Sequence, residues 1–387
     1  MSLRREAPNK TIAVYPFSRE FLPCLTAELF PGAVVQTLVA PEGFALTGKD
    51  AGYADNRPAV GLVVQPESVL ADMQDDILLV PNGDWADIKR NEIHVPGEEW
   101  MTFVHQKCLR FMELAADAGK EIWCAMKLTD DERCSIAARC KLNNAPFDYL
   151  YHEPTLVQEY EDIERLYTPE AAVLFVGELM PNTNAFEIAL NLHRQFVDND
   201  FCSVLLSAQD TFMLPNATRF PDSLFLEAGD DRRVYDINCR IKEIDENIAP
   251  DIIIVCLPDA LMKLDSQFTN GFGAIPYLIS QAVQADYTVV CVQHDYYNAE
   301  FYNTICNDLL IRFGMPVKFY HMSNTKSDMQ ASHERGNLKF NYLDYTAAQN
   351  AITSVVDDLA TVTVPACNVL HGNKDRLFHH VLTCLQG

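Results

Sequence analysis

A chain of 387 residues exceeds what one hydrophobic core usually serves, so two domains are expected, and an apolar content of 48% gives each enough to bury. The formal charge of -24, from 54 acidic against 30 basic residues, argues against general nucleic-acid binding, which needs a basic surface to displace counterions from phosphates. The twelve cysteines show neither a CxxC pair nor metal-finger spacing, the opening MSLRREAPNK has no apolar signal core, and nowhere do about 18 apolar residues run together as a membrane span requires, so a soluble cytoplasmic protein without disulfides is expected.

In chain order, short apolar strands alternate with helical patterns: Thr11 to Tyr15, Val34 to Val39, Val60 to Val64, Ile77 to Val80, Glu121 to Ala125 and Phe147 to Tyr151. That alternation predicts a parallel sheet wrapped by helices. The clearest helix runs from about Glu98 to Ala118, with Phe103, Val104, Cys108, Phe111, Met112 and Ala115 at helical spacing, and Gly119 ends it. No GxGxxG follows the first strand, so dinucleotide binding in this half is weakly supported. Between Glu153 and Glu170 the chain turns acidic and polar, which places the boundary between a domain of residues 1–165 and one of residues 166–387. A second alternation follows, with strands near Val173 to Val176, Ser203 to Leu206, Ile252 to Cys256, Thr288 to Val292 and Val317 to His321. Helices are expected over Thr346 to Asp358 and Lys374 to Leu385, around a loop from Pro365 to Asn373. The fold class is therefore α/β, two Rossmann-like, doubly wound parallel-sheet domains, the second resembling a degenerate P-loop domain.

Polar groups gather where the strands of the second domain end, the edge at which open α/β sheets bind ligands. Gly177, Glu178, Asn182, Thr183 and Asn184 imitate a phosphate loop between a strand and a helix starting near Ala185. A working P-loop ends in glycine, lysine and Ser/Thr, whereas Asn182, Thr183 and Asn184 stand there, and Glu178 adds negative charge. The loop is thus a helix cap, a seat for an anion or polar ligand, or, least favoured by its residues, a true NTPase loop. Beyond the next strand, Asp259, Lys263, Thr269, Asn270, Gly271 and Gly273 supply carboxylate, ammonium, hydroxyl, amide and free N–H groups, with Asp259 and Lys263 four apart on an expected helix. Asn270-Gly271 is equally a turn dipeptide. His294, Asp295 and Tyr296 could act as base, orienting carboxylate and phenolic donor, and Ser323 with Asn324 could add a hydroxyl and an amide to the same rim. Catalytic candidates are Lys263, His294 and Asp295. In the first domain Tyr15, Arg19, Asn82 and Asp84 mark a second candidate crevice, with Arg19 able to hold an anion in bidentate fashion. His371, His379 and His380 do not share a face, and no metal site is expected. The sequence names no cofactor.

At these motifs the chain resembles a family of bacterial peptide maturation proteins, found in clostridial-type cassettes for ribosomally made, modified peptides beside radical SAM enzymes. The resemblance rests on YPFSREF at Tyr15 to Phe21, VGELMPNTNAFE at Val176 to Glu187, LPDALMKLDSQFTNGFG at Leu257 to Gly273, the ISQAV and HDYYN segments, and HMSN at His321 to Asn324. It implies a role in maturing a peptide natural product, with a precursor peptide and a radical SAM enzyme as partners; charge and the lack of a long apolar run argue against nucleic acid or a membrane among them. One departure stands out: Glu178, Asp259 and Ala260 occupy positions where the family leads us to expect glycine. In strand and helix order the second domain is also similar to P-loop proteins of the dethiobiotin-synthetase kind. The expected function is an accessory protein that binds a ligand or peptide; the alternative is a transferase or ligase using nucleotide or acyl-phosphate chemistry, with Lys263 on phosphate and His294 or Asp295 moving protons.

Overall fold

Apolar runs too long to be half-exposed become the central strands of two parallel sheets, one in each of two compact units: residues 1–153 with 210–215, and residues 154–209 with 216–387. The computed structural model describes residues 10–26, 30, 32–82, 97–152, 165–209, 214, 216–295, 297–346, 364–370 and 372–386, with residues 97–100 and 386 described by their backbone alone.

In the N-terminal unit, strands β1 (Lys10–Val14), β2 (Ala33–Val39), β3 (Val64–Gln65), β4 (Ile77–Val80), β5 (Glu121–Cys124) and β6 (Phe147–Tyr149) form a sheet of order β3-β2-β1-β4-β5-β6. Every neighbouring pair is parallel. This is the doubly wound Rossmann order, with its reversal between β1 and β4. The helices described are α1 (Leu22–Thr26), α2 (Gly97–Asp117) and α3 (Asp130–Leu142). A reciprocal capping box starts α3: Thr129 accepts from the Glu132 N–H at 3.3 Å, and the Glu132 carboxylate accepts from the Thr129 N–H at 2.8 Å. The expected strand from Val60 shrinks to Val64–Gln65 because Asp50 claims its backbone. The Asp50 carboxylate accepts from the N–H groups of Gly52, Val60 and Gly61, each at 2.8 Å.

The C-terminal unit is the second doubly wound α/β unit. Its strands are β7 (Ala172–Glu178), β8 (Ser203–Ser207), β9 (Ala217–Arg219), β10 (Ile252–Ala260), β11 (Tyr287–Val292), β12 (Val317–Met322) and β15 (Ala366–Cys367), in the order β15-β12-β11-β7-β10-β8-β9, again all parallel. A two-stranded antiparallel ribbon, β13 (Thr325–Ser327) with β14 (Phe340–Tyr342), follows β12. The helices described in it are α4 (Ala185–Asp198), α5 (Asp230–Ile248), α6 (Ala274–Ala282), α7 (Ala299–Phe313), α8 (Met329–Arg335) and α9 (Lys374–Gln386). Strand β11 is buried at all six positions and β8 at all five, as expected of strands covered on both faces. Phe175, Val255, Val290 and Tyr320 from four adjacent strands sit in one core with Ile241, Ile279 and Leu309 from the covering helices. The chain visits β8, β9 and β10 on one side of β7 and then crosses to β11 on the other, so the order reverses between β7 and β11. The expected helix over Thr346 to Asp358 lies largely outside the described residues. The expected loop from Pro365 to Asn373 contains β15. Among the described residues no helix is long and apolar enough to cross a membrane, and no group of three or more His, Cys, Asp or Glu side chains could hold a metal ion.

Candidate functional site

Parallel pairing puts the carboxyl ends of β7, β10, β11 and β12 on one edge of the C-terminal sheet, so the segments that follow them share a rim. Hydrogen bonds join these segments directly. Leu179 N donates to the Cys291 carbonyl and Leu261 N to the Glu178 carbonyl, both at 2.8 Å. His294 N donates to the Thr325 carbonyl at 2.7 Å, and Asn182 Nδ2 reaches the Tyr342 hydroxyl on β14 at 2.7 Å. Asn182, Thr183, His294, Ser323 and Asn324 are therefore brought together as expected. Asn270 joins them less directly, its Nδ2 donating to the Met262 carbonyl at 3.2 Å.

The turn between β7 and α4 has the strand, loop and helix layout of a phosphate loop, and its donors are already taken. The Glu178 carboxylate turns back under the loop and accepts from the N–H groups of Asn182 at 2.8 Å, Thr183 at 2.9 Å and Ala185 at 3.3 Å. A helix start offers these N–H groups and the positive end of its dipole to an anion, and here the chain supplies the anion itself. Asn182 and Asn184 reach this arrangement at φ of 67° and 72°, in the left-handed region that asparagine tolerates best after glycine. Asn184 is the residue before α4, yet its side chain makes no cap bond. Glu178 does that work from six residues upstream. The buried Thr183 hydroxyl lies 3.2 Å from the Met180 carbonyl and 3.3 Å from that of Cys291. The expected seat for an outside anion is thus filled from within.

The second candidate motif departs from expectation. Asp259 and Lys263 do not face each other on a helix, because β10 runs on to Ala260 through a bulge between Cys256 and Ala260, with Asp259 at φ 60°. Helix α6 begins only at Ala274, after a turn in which Asn270, Gly271, Phe272 and Gly273 all have positive φ. Gly273 is required there, since a Cβ would stand 2.2 Å from the Leu261 carbonyl oxygen. Lys263 is exposed and lines a cleft of about 570 Å³ with Phe272, Tyr277, Asp308, Arg312 and Phe313.

Among the proton-transfer candidates, His294 is 8% exposed; burial, and then the Lys326 ammonium, push its pKa down, with Asp295 opposing them, so its imidazole is neutral at neutral pH. Asp295 is half-exposed and paired with Lys326 at 3.3 Å. Ser323 Oγ accepts from Thr325 N at 3.1 Å, and Asn324 Nδ2 donates to the Leu343 carbonyl at 3.0 Å. Tyr296 and Asp84 lie outside the described residues. In the N-terminal unit Tyr15 is fully buried and donates to Glu67 at 2.6 Å, while Glu67 also pairs with Lys107. Arg19 is held by the buried Asp55 at 3.2 Å, and Asn82 is exposed. Both Tyr15 and Arg19 are thus engaged by carboxylates of their own unit. Sequence reasoning did not find Tyr342, Asp308 or Arg312. They sit on a three-residue strand and on a helix whose charged positions read as ordinary surface.

No family model matches the chain, and no curated protein matches it. Among solved structures, the crystal structure of a DUF1611 family protein from Anabaena variabilis ATCC 29413 is similar, with a TM-score of 0.54 over 97% of this chain and 100% of that one at 11% identity. At that identity the likeness bears on the fold alone.

Proposed function

We propose that the protein is an accessory binding component in the maturation of a ribosomally synthesised peptide, acting in the cytoplasm, and that the carboxyl rim of its C-terminal unit receives a polar ligand or a segment of the precursor peptide. The observation that carries this reading is the Glu178 carboxylate on the loop N–H groups. Phosphoryl transfer needs those donors, together with a lysine and a metal, directed at the nucleotide's phosphates. Here a carboxylate fills their place, which favours binding over nucleotide chemistry. Support for the peptide class comes from the motifs at Tyr15 to Phe21, Val176 to Glu187 and Leu257 to Gly273, and twelve free cysteines fit a reducing compartment. The acidic surface then meets a radical SAM partner. Calorimetric titration of the full chain with its cognate precursor peptide, without nucleotide, tests this: saturable binding is expected, and binding only when ATP and Mg²⁺ are present would overturn it.

A further inference from the structure

The cleft beside the rim has a chemistry of its own. Its volume of about 570 Å³ falls within the range of roughly 300–1,000 Å³ typical of small-molecule sites. Three aromatic rings line it, those of Phe272, Tyr277 and Phe313, and the last two meet edge to face at 6.0 Å. Two cations face it, Lys263 and Arg312. Among the described residues neither makes a hydrogen bond or ion pair, although the chain carries 54 acids for 30 bases. Elsewhere in the unit Arg194, Arg232, Arg233, Arg240, Lys242 and Lys326 each hold a carboxylate, while among the described residues Lys318 and Arg376 do not; what sets Lys263 and Arg312 apart is that the two line one aromatic cleft. Asp308 also lines the cleft, one turn before Arg312 on α7, and makes no ion pair with it, which leaves two positive charges against one negative.

Phe272 adds an independent sign. It holds φ 57° and ψ 16°, a conformation that costs a non-glycine residue roughly 1 kcal/mol, and the residue is 69% exposed. An aromatic residue kept in a left-handed turn only to face water gains the protein nothing in folding. Tyr277, 45% exposed on α6, lines the same cleft.

We propose that this cleft binds a small monoanion with a flat apolar body, an aryl carboxylate in type: the rings of Phe272, Tyr277 and Phe313 take the body, and Lys263 with Arg312 take the charge. Asp308 disfavours a second negative charge, which separates this ligand class from nucleotide polyphosphates. The inference rests on the preceding reading only in treating the rim as a binding surface.

The experiment uses the full-length chain and three congeners, 2-naphthoate, 2-naphthalenemethanol and 2-naphthylmethylamine, titrated by fluorescence or calorimetry. One equivalent of naphthoate binds, and the neutral and cationic congeners bind at least about tenfold more weakly. The Lys263→Ala, Arg312→Ala double variant loses about tenfold or more for naphthoate with little change for the alcohol, and added salt weakens naphthoate binding to the wild type. Phe272→Gly serves as the second variant, because glycine suits the left-handed turn: its melting temperature stays level or rises while naphthoate affinity falls. No naphthoate binding, equal binding of all three congeners, or unchanged affinity in both variants would overturn the proposal. Because the precursor peptide titration is separate, peptide binding without naphthoate binding sinks this inference alone, and the converse sinks the peptide reading alone.

Discussion

Glu178 decides how the C-terminal unit is read, and its part in the fold can be measured. Glu178→Ala strips the acceptor from three backbone donors at the start of α4, so a loss of about 1–3 kcal/mol in denaturant unfolding is expected. An unchanged midpoint would mean that water replaces the carboxylate freely. Gly273 and Gly271 make a sharper pair. Both have positive φ, but a Cβ at Gly271 meets nothing within 4 Å, whereas one at Gly273 would lie 2.2 Å from the Leu261 carbonyl oxygen. Gly271→Ala is expected to cost about 1 kcal/mol, and Gly273→Ala at least about 3 kcal/mol, in the same unfolding assay. Equal costs would contradict the close approach. At this scale the sequence was partly legible: the missing lysine and the added charge of Glu178 were visible beside Gly177. That the carboxylate folds inward was not, because the N–H groups it satisfies lie four to seven residues away and meet it only once α4 packs on β7. Asp259 and Lys263 failed as a helical pair because a bulge carries β10 to Ala260 and leaves no helix for them to share.

Among elements, the long buried strands were readable and the short ones were not. The apolar runs of β4, β7, β10 and β11 have no other way to hide their side chains than a sheet covered on both faces. By contrast β9, β13 and β14 are three residues each, with Arg219, Lys326 and Asn341 among them, and their pairing comes from tertiary contact rather than local preference. The entry to β7 shows such contact at work. Asp245 on α5 accepts from the Tyr167 hydroxyl at 2.6 Å, Glu170 N at 2.8 Å and Ala171 N at 3.2 Å, and Asn238, two turns earlier on the same face, brackets the Tyr167 backbone. Burial pushes the Asp245 carboxyl up, and these hydrogen bonds outweigh it and hold its pKa below the usual range. Asp245→Ala is expected to destabilise by about 2–4 kcal/mol and Tyr167→Phe by about 1 kcal/mol, with the double variant costing less than the sum. Strict additivity in that cycle would show the two act separately.

For the molecule as a whole, buried histidines set the acid side of its stability. Burial drives the His321 pKa down to about 3, and burial is also the leading cause lowering His294 and His380. Unfolded histidine takes its proton near pH 6.5, whereas folded His321 refuses it until about pH 3, so between these values the unfolded chain holds more protons. Stability is therefore full above about pH 6.5 and falls as pH falls toward about 3. In the window from about pH 6.5 to about pH 5 histidine leads, because carboxylates with lowered pKa values, such as Asp50 and Asp245, lose their contribution only further down, and Asp259, whose carboxyl burial pushes up, acts with the opposite sign. The urea midpoint should drop between about pH 7 and about pH 5, and His321→Gln should shrink that drop; a flat profile would contradict it.

The two-unit architecture and the shared rim follow from strand alternation and parallel pairing, while the chemistry at the rim turns on whether Glu178 leaves room for a phosphate. Calorimetric titration of the wild-type chain with ATP and Mg²⁺ asks that directly. The account predicts no saturable heat. Stoichiometric binding of ATP that is lost in Lys263→Ala would contradict it and make the C-terminal unit a nucleotide-binding one.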